Sequence, residues 1–351
     1  MNSKFNQISI ALTISTVLGF SALPAQSALL VSSGGDNSIK QYDETTGAYI
    51  RDFVTSGSGG LSDPQGLTLG PNGNLFVVGG GSVKEYSGTT GEYVKDFAST
   101  GLLDAKGLSF APDGSLFVVS NFIPGTEVEV AGPDIVSWRT GVLQYDGTTG
   151  ELIGNIPTGS SGMNLASPGG PQPFDVAVGG SNNNVFISQT QARFNLGGIG
   201  QYDLTTKQSV GGFGSDSSFF NPQGLALDDN YLYYTTGTSG GRVDLATGDN
   251  DTTFLDSSGE LSESIDVAIG ANGNLFVSNS GTDSIKQYDG QTGNFLGDLV
   301  ASGSGGLSNP TFVTTANVPV PEPSSVLGVL AFGGLFAGGA LRRKRVVKLQ
   351  K

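Results

Sequence analysis

The sequence predicts an all-β protein, a six-bladed β-propeller built from four-stranded blades. Three observations carry this prediction: a seven-residue phrase occurs six times, a strand-turn-strand pattern recurs between its copies, and the chain ends carry complementary parts of one repeat. The composition agrees, because the 351 residues include 56 Gly, are 37% hydrophobic and are only 14% charged. Such a chain has apolar material for a large core and glycines for many tight turns, but too few charges for a helical or disordered protein.

Each repeat contains one copy of a phrase related to QYDGTTG. The copies are QYDETTG from Gln41, EYSGTTG from Glu85, QYDGTTG from Gln144, QYDLTTK from Gln201, RVDLATG from Arg242 and QYDGQTG from Gln287. Their second residues are 44, 59, 57, 41 and 45 positions apart, and the shorter spacings match a four-stranded blade. We interpret the Asp and Thr as turn formers, because an Asp carboxylate accepts the N–H groups of a turn and the Gly supplies a positive φ.

A second segment between these copies supplies two further strands. It reads PQGLTLGPNGNLFVV from Pro64, AKGLSFAPDGSLFVV from Ala105, PFDVAVGGSNNNVFIS from Pro173, PQGLALDDNYLYYT from Pro222 and SIDVAIGANGNLFVS from Ser264. Each copy has an alternating apolar strand, a turn and a strand rich in Phe, Val and Leu. These units resemble NHL-type repeats over residues 29–318. The resemblance implies the fold but no particular function, because the architecture hosts sensors, scaffolds and hydrolases alike.

The two ends of the repeat region complete one blade. The segment LLVSS from Leu29 matches a second strand and lacks an innermost strand before it, whereas NPTFVTTANV from Asn309 matches an innermost strand with nothing after it. Together they give a sixth blade, so the C-terminal strand pairs with the N-terminal strands and closes the ring. Closure removes the sheet edges that invite aggregation.

The N-terminus predicts a signal peptide over residues 1–27. Lys4 precedes an apolar stretch at residues 8–22, and Ala25 and Ser27 have the small side chains and the spacing that signal peptidase accepts. Cleavage after Ser27 or Ala28 leaves an exported propeller of residues 28–318. A core helix is the alternative for this stretch.

The C-terminus combines three features of a sorting signal. Residues 319–345 contain Pro321-Glu322-Pro323, an apolar stretch at 324–341 long enough for a transmembrane helix, and then Arg342 and Arg343. This order resembles the PEP-CTERM signal of Gram-negative bacteria and cyanobacteria that make exopolysaccharide. The resemblance implies processing by an exosortase, transient anchoring in the inner membrane with residues 346–351 as a cytoplasmic basic tail, and release to the cell envelope or matrix. A plain membrane anchor is the alternative.

Composition excludes several chemistries and partners. The chain has no His and no Cys, which excludes an imidazole base, a thiol nucleophile, a disulfide and a His-ligated zinc. The region between the two sorting segments has ten basic and thirty acidic residues, which gives a formal charge of about −20. A surface this acidic repels nucleic acid and anionic headgroups, and leaves cations, neutral glycans and basic proteins as partners.

Three insertions predict a ligand-binding face. They occupy residues 121–141, 157–173 and 190–200 of neighbouring repeats, and propeller topology places all of them on one face. Aromatic and guanidinium groups there could stack on a sugar ring or bind an acidic peptide. The candidate residues are Phe122, Trp138, Arg139, Arg193 and Phe194. The alternative is that these side chains pack the insertions onto the blades.

The channel mouth on the same face predicts a second candidate site. Asp175 and Asp266 stand early in two innermost strands where three other repeats have Gly, and Asn121 and Asn279 end second strands. Carboxylate and amide oxygens near one axis are the ligand types of calcium. Six-bladed lactonases and phosphotriesterases are similar in blade number and ligand chemistry, but their pattern includes a Glu ligand with no counterpart here.

The sequence therefore favours an exported, non-catalytic propeller that binds a glycan or protein of the cell envelope or exopolysaccharide matrix, or serves there as a scaffold. The alternative is a calcium-dependent lactonase or esterase with its site at the channel mouth.

Overall fold

The computed structural model describes residues 25–121, 128–129, 136–137, 140–158, 172–180, 183–190, 197–214 and 221–319. Residues Gln26–Val318 form one compact unit. Its strands make six four-stranded antiparallel sheets, and these sheets are the blades that the repeat predicts.

Blade 1 closes the ring and blades 2 and 3 follow it along the chain. Blade 1 contains β26 (Pro310–Pro319), β1 (Ala25–Ser33), β2 (Ser38–Asp43) and β3 (Tyr49–Val54). Blade 2 contains β4 (Leu67–Leu69), β5 (Leu75–Gly79), β6 (Ser82–Tyr86) and β7 (Tyr93–Ala98). Blade 3 contains β8 (Leu108–Phe110), β9 (Leu116–Ser120), β12 (Gly141–Tyr145) and β13 (Leu152–Pro157).

The other three blades repeat this order. Blade 4 contains β14 (Gln172–Gly179), β15 (Asn184–Thr190), β16 (Gly198–Asp203) and β17 (Ser209–Phe213). Blade 5 contains β18 (Leu225–Leu227), β19 (Tyr231–Thr235), β20 (Gly240–Asp244) and β21 (Asn250–Asp251). Blade 6 contains β22 (Ser264–Ile269), β23 (Leu275–Asn279), β24 (Ser284–Tyr288) and β25 (Phe295–Val300).

Short elements lie between these strands. Two strands of two residues each, β10 (Val128–Glu129) and β11 (Val136–Ser137), pair antiparallel within the first insertion. Among the described residues, four 3-10 helices occupy Ser58–Gly60, Ser257–Gly259, Ser280–Thr282 and Ser304–Gly306. Across the stretches that the structure describes, no helix has the length and apolarity to cross a membrane. The apolar stretch at 324–341 and the predicted signal peptide before residue 25 lie outside those stretches.

The predicted closure is confirmed. Strands β26, β1, β2 and β3 form one sheet in that order, so the last strand of the propeller is innermost in the blade that the first three strands complete. The strand β1 begins at Ala25, three residues before the start predicted for the mature propeller. Side chains of the first two strand residues are not described, and Ser27 is half-buried.

The core consists of layers between neighbouring blades. Second strands alternate their side chains between two neighbours: in β1, Leu29 packs with residues of blade 6 and Leu30 packs with residues of blade 2. Among the described residues the buried side chains form six clusters, one for each pair of adjacent sheets. Each blade is therefore held by apolar burial on both faces.

The antiparallel zigzag gives the propeller two different faces. Connections from second to third strand and from one blade to the next lie on one side, the loop face, where Gly34 N donates to Asn309 O and Gly80 N to Ser62 O. The turns between first and second strands and between third and fourth strands lie on the other side, the turn face. The start of β1 and the end of β26 both lie at the turn face, where the other blades have the turn between their first and second strands.

The Asp residues of the repeated phrase form the predicted turns. Asp146 Oδ1 accepts hydrogen bonds from Thr148 N at 2.9 Å and Thr149 N at 2.8 Å. These backbone donors hold the pKa of Asp146 below its ordinary value. Asp203, Asp244 and Asp289 make the same turn with the same lowering of the pKa. These carboxylates are structural parts of the turn face.

Candidate functional site

The three insertions leave the propeller side by side. Thr140 lies in the last part of the first insertion and Thr158 at the start of the second, and Thr158 N donates to Thr140 O at 3.0 Å. Gln172 lies in the last part of the second insertion and is opposite Thr190, the first residue of the third; Thr190 Oγ1 donates to Gln172 O at 3.4 Å. Hydrogen bonds thus join the base of the second insertion to the bases of the other two, all on the loop face.

The residues predicted to bind ligand lie outside the described residues. They are Phe122, Trp138, Arg139, Arg193 and Phe194. Asn121 is described at the base of the first insertion, where its Nδ2 donates to Asp104 Oδ2 at 2.6 Å and its Oδ1 is buried with no hydrogen bond.

A second candidate region lies on the propeller axis. Six residues occupy equivalent positions in the innermost segments, and we call these the axial positions: Gly66, Gly107, Asp175, Gly224, Asp266 and Phe312 in blades 2, 3, 4, 5, 6 and 1. At the Gly positions the backbone joins the next blade directly: Gly66 N donates to Lys106 O at 3.2 Å and Gly224 N to Ile265 O at 2.8 Å. The axial residues therefore hydrogen-bond one blade to the next.

The two axial aspartates make this connection with their side chains. Asp175 Oδ2 accepts from Leu225 N of blade 5 at 2.8 Å, and Asp266 Oδ2 accepts from Val313 N of blade 1 at 3.0 Å. Asp175 Oδ1 also accepts from Val176 N at 2.8 Å. Both carboxylates are almost fully buried, and both are partners of backbone groups that would otherwise be unsatisfied.

Glycines next to the carboxylates leave the space that these side chains fill. A Cβ atom on Gly107 would lie 1.8 Å from Asp175 Oδ1, and one on Gly224 would lie 2.4 Å from Asp266 Oδ1. A Gly at the axial position before each Asp is thus a packing requirement.

Two serines complete the connections of the aspartates. The backbone N–H of Asp175 donates to Ser188 Oγ at 2.9 Å, and Ser188 Oγ donates to Gln223 O of blade 5 at 2.5 Å. Ser278 makes the same pair of contacts with Asp266 N and Thr311 O. Sequence reasoning missed these serines. The signal was present, because the second strands of the two Asp repeats have Ser where the repeats of blades 2 and 3 have Val78 and Val119.

A cavity of about 310 Å³ lies on the axis. Innermost strands of all six blades line it, and Asp175 and Asp266 are the charged residues of that lining. Burial raises the pKa of Asp175 to about 7, against the lowering effect of the Leu225 and Val176 N–H groups. Burial, together with the charge of Asp175, raises the pKa of Asp266 well above its ordinary value. Near pH 7 the states in which one or both carboxyl groups of the Asp175–Asp266 pair are protonated are therefore favoured.

An aromatic pair crosses the axis beside the carboxylates. Phe312 of blade 1 and Phe174 of blade 4 belong to opposite blades of the ring, yet their ring centroids are 6.0 Å apart with an interplanar angle of 16°. Phe174 precedes Asp175 in β14 and so lies nearer the loop face. Phe174 thus lies on the loop-face side of Asp175, and both aspartates are almost fully buried, whereas the sequence places them at a channel mouth.

The four residues predicted as calcium ligands do not converge. Asp175 and Asp266 share the cavity, but Asn279 Oδ1 accepts from Ser262 N at 2.8 Å and its Nδ2 donates to Thr282 Oγ1. Asn121 Nδ2 donates to Asp104 Oδ2 at the base of the first insertion. Calcium takes six to eight oxygen ligands, and in the part of the chain that the structure describes no three acidic side chains group to hold a metal. These residues do not fit a calcium site as a set.

The C-terminal segment matches a known sorting signal. Residues 319–345 match the PEP-CTERM protein-sorting motif, which includes Pro321, Glu322, Pro323, Arg342 and Arg343. The motif implies export, transient membrane anchoring and processing by an exosortase. These residues lie beyond the described part of the chain.

Solved structures support the propeller fold. The chain is similar to a chain of the nidogen/laminin complex, with 12% identity, a TM-score of 0.58, and coverage of 83% of this chain and 98% of that one. A protein of unknown function from Bacteroides caccae gives 12% identity, a TM-score of 0.56, and coverage of 83% and 99%. The hydrazine synthase of Kuenenia stuttgartiensis gives 14% identity, a TM-score of 0.51, and coverage of 79% and 80%. No curated protein matches the sequence. This chain is thus a six-bladed β-propeller followed by a PEP-CTERM sorting segment.

Proposed function

We propose that this protein is an exported, non-catalytic propeller of NHL-type repeats that binds a glycan or protein of the cell envelope or exopolysaccharide matrix, or serves there as a scaffold. The single observation that carries the binding role is the joining of three insertion bases on one face. The sorting motif at residues 319–345 supports the location. A fold alone does not define a function, so the proposal rests on these two features.

The loop face suits the proposed role for a topological reason. The segments that carry the sorting signals join the propeller at the ends of β1 and β26, both on the turn face. Neither attachment point therefore interrupts an insertion. The exported region is strongly acidic, which favours neutral glycans or basic protein surfaces as ligands and disfavours nucleic acid. Trp138 and Arg139 are the groups that we expect to bind a sugar ring or a peptide carboxylate.

Binding screens with matched variants test this proposal. The purified exported protein is applied to arrays of exopolysaccharide fragments and to envelope protein fractions, together with Trp138→Ala and Arg139→Ala. We expect at least a tenfold loss of affinity for each, as is common when an aromatic or Arg anchor of an interface is truncated. Lys95→Ala is the control, because Lys95 is a half-exposed cation on the outer strand of blade 2.

The outcomes separate the alternatives. Equal binding by all three variants would exclude the insertions as the ligand face. An equal drop in melting temperature for the Trp138 and Arg139 variants, without any effect on binding, would show that these side chains only pack the insertions onto the blades.

A calcium-dependent lactonase or esterase is the second candidate. The observation in its favour is that Asp175 and Asp266 share one cavity, and the observation against it is that both carboxylates already accept backbone hydrogen bonds. Metal analysis of the purified protein, with melting curves in EDTA and in added calcium, tests it. A stoichiometric divalent ion whose removal lowers the melting temperature supports this candidate. A metal-free protein that is indifferent to EDTA eliminates it.

A further inference from the structure

One buried carboxylate of blade 1 has no counterpart in the other blades. Glu44 is 3% exposed and follows Asp43 in the turn between β2 and β3, on the turn face. The equivalent residues of the other blades are Gly88, Gly147, Leu204, Leu245 and Gly290. Where the residue is Gly, the space beside it is filled by backbone: a Cβ on Gly88 would lie 1.7 Å from Gly73 O, in the turn between the first two strands of blade 2.

Blade 1 lacks that turn, because its first two strands come from opposite ends of the chain. Glu44 occupies the place instead. Its Oε1 accepts from Ala271 N of blade 6 at 2.7 Å, and its Oε2 accepts a hydrogen bond from Ser27 Oγ. The backbone N–H of Glu44 also donates to Ser27 O at 3.3 Å. The carboxylate thus lies directly beside the start of the first strand.

No cation compensates this charge in the described part of the unprocessed chain. None of the ion pairs of the described residues includes Glu44. The elements around it, β1, β26 and the blade 6 turn at residues 270–273, contain no Lys or Arg, and the charged neighbour on its own turn is Asp43. A buried carboxylate without a counter-ion is unfavourable.

We propose that Glu44 is the counter-ion of the α-ammonium group that removal of the signal peptide creates at Ala28. The proposal rests on the proposed export and on cleavage after Ser27. Hydrolysis of the Ser27–Ala28 bond consumes one water molecule: the acyl carbon of Ser27 gains the oxygen and leaves as a carboxylate, and the nitrogen of Ala28 becomes an ammonium. Ser27, the hydrogen-bond donor to Oε2, departs in this step, and the new cation starts at the adjoining residue.

The position of Ala28 supports this pairing. Ala28 is fully buried and lies opposite Asp43 in the ladder between β1 and β2, so that the preceding residue stands beside Glu44. An ammonium group at this site needs a carboxylate within reach, because a buried cation without a partner is costly. Export would in this way replace the two hydrogen bonds between Ser27 and Glu44 by an ion pair, and the closing blade would reach its final stability only after processing.

The pairing has a defined pH dependence. An α-amino group has an ordinary pKa of about 8, and a neighbouring carboxylate raises it in the folded protein. A group whose folded pKa is raised stabilises the fold at pH values below the ordinary pKa, and this stabilisation is lost as pH rises through the folded pKa. We therefore expect an alkaline loss of stability that depends on Glu44.

The experiment uses the exported protein purified from the producing cells. Mass spectrometry identifies the first residue, an amine-selective reagent measures the labelling rate of the α-amino group at pH 7, and melting curves are recorded between pH 7 and 10. Glu44→Gln keeps the acceptor for Ala271 N and removes the charge. Glu44→Leu is the second variant, since blade 4 buries Leu204 at the same turn position. Glu92→Gln is the control, because Glu92 is exposed and its side chain accepts a hydrogen bond from Thr90 Oγ1.

The expected result is a chain that begins at Ala28 and an α-amino group that reacts about tenfold faster in either Glu44 variant, which corresponds to one pKa unit. The alkaline loss of stability becomes smaller in those variants and stays unchanged in Glu92→Gln. A first residue other than Ala28, or equal labelling rates in all proteins, overturns the ion pair. Neither result affects the binding role of the loop face, which the insertion variants test separately.

Discussion

A single residue at each axial position decides how neighbouring blades are joined. Gly joins them through its own backbone N–H, as Gly66 does with Lys106 O. Asp uses a carboxylate oxygen, as Asp175 does with Leu225 N. The larger side chain fits only because the neighbouring axial residue is Gly107, whose missing Cβ leaves room for Asp175 Oδ1. Substitutions at these positions are therefore coupled across blades.

Two turn glycines give a matched test of conformation against packing. Gly47 has φ +68° and a Cβ there would lie 1.7 Å from Leu299 O, whereas Gly248 has φ +78° and nothing within 4 Å. In Gly248→Ala the added methyl group contacts nothing, and the only cost is an Ala in the left-handed backbone conformation. We therefore expect a loss of about 1 kcal/mol in the free energy of unfolding. Gly47→Ala must also displace a backbone carbonyl of blade 6, and we expect a loss at least twice as large, on the order of 2–3 kcal/mol. Urea unfolding of the two variants measures the difference, and equal losses would contradict the close approach.

At the scale of the strand, the repeated SIKQYD phrase carries two separate contacts. Its Lys is buried and reaches the Asp of the fourth strand: Lys40 Nζ lies 3.0 Å from Asp52 Oδ1, and Lys286 Nζ lies 2.9 Å from Asp298 Oδ1. Its Tyr reaches the other way, into the loop that leaves the preceding blade. Tyr42 Oη donates to Ser304 O at 2.8 Å. The first copy of the phrase thus holds the outer strand of its own blade and the adjacent loop together, whereas the second copy makes only the Lys contact.

The tyrosines of the third strands give a matched pair for this second contact. Tyr42→Phe removes the donor to Ser304 O, and we expect a loss of about 1 kcal/mol in the free energy of unfolding. Tyr288 occupies the same position in blade 6, but its buried hydroxyl has no hydrogen-bond partner. Tyr288→Phe should therefore leave stability unchanged or raise it slightly. Melting curves of both variants test this, and a larger loss for Tyr288→Phe than for Tyr42→Phe would refute the assignment.

At the scale of the whole molecule, closure makes the last strand indispensable. We expect deletion of residues 310–318 to unfold the propeller, because β26 supplies the innermost strand of blade 1 and Phe312 belongs to the buried layer between blades 1 and 2. Circular dichroism and limited proteolysis measure the result. Deletion of the same number of residues from within the insertion at 159–171 is the control and should leave the fold intact. A deletion mutant without β26 that keeps the native spectrum and protease resistance would contradict closure.

The axial carboxylates predict an unusual pH dependence of stability. The folded pKa values of Asp175 and Asp266 are raised above the ordinary value of 3.8. Their stabilising contribution is therefore complete below about pH 4 and is lost as pH rises through the folded pKa of Asp175, about 7. The chain has no His or Cys, so few other groups titrate between pH 5 and 7. We expect the melting temperature to fall across this window.

Asn substitutions isolate this effect. Asp175→Asn or Asp266→Asn loses one backbone contact at every pH but also removes one titrating group. The loss of stability between pH 5 and 7 should become smaller by up to about 1.4 kcal/mol per pH unit for each raised carboxyl. Melting curves at several pH values measure the slope. A slope that is unchanged in both variants would show that the aspartates are ionised throughout the window.

Most of the fold follows from the sequence, because a blade is a local unit. The number and spacing of the copies of the phrase give the blade count, and the continuous apolar run in segments such as NLFVV gives strands buried on both faces. The candidate sites follow only in part. The sequence places Asp175 and Asp266 correctly in innermost strands. It also groups Asn279 with them as a ligand, although the side chain of Asn279 accepts a hydrogen bond from a loop. It shows Ser188 where blades 2 and 3 have Val, but not the role of this serine, which depends on a carbonyl of the next blade.

The sequence by itself determined the six blades, their strand order, the closing of the ring by its two ends and the sorting segment that follows. These properties are carried by residues close together in the chain or by a repeat of fixed length. Only the tertiary structure decided that Phe174 and Phe312 stack across the axis, that two aspartates share a cavity, and that Glu44 accepts a hydrogen bond from Ala271 N of blade 6. Each of these pairings joins residues that are far apart in the chain, and closing the ring sets their distance, so no local pattern encodes them.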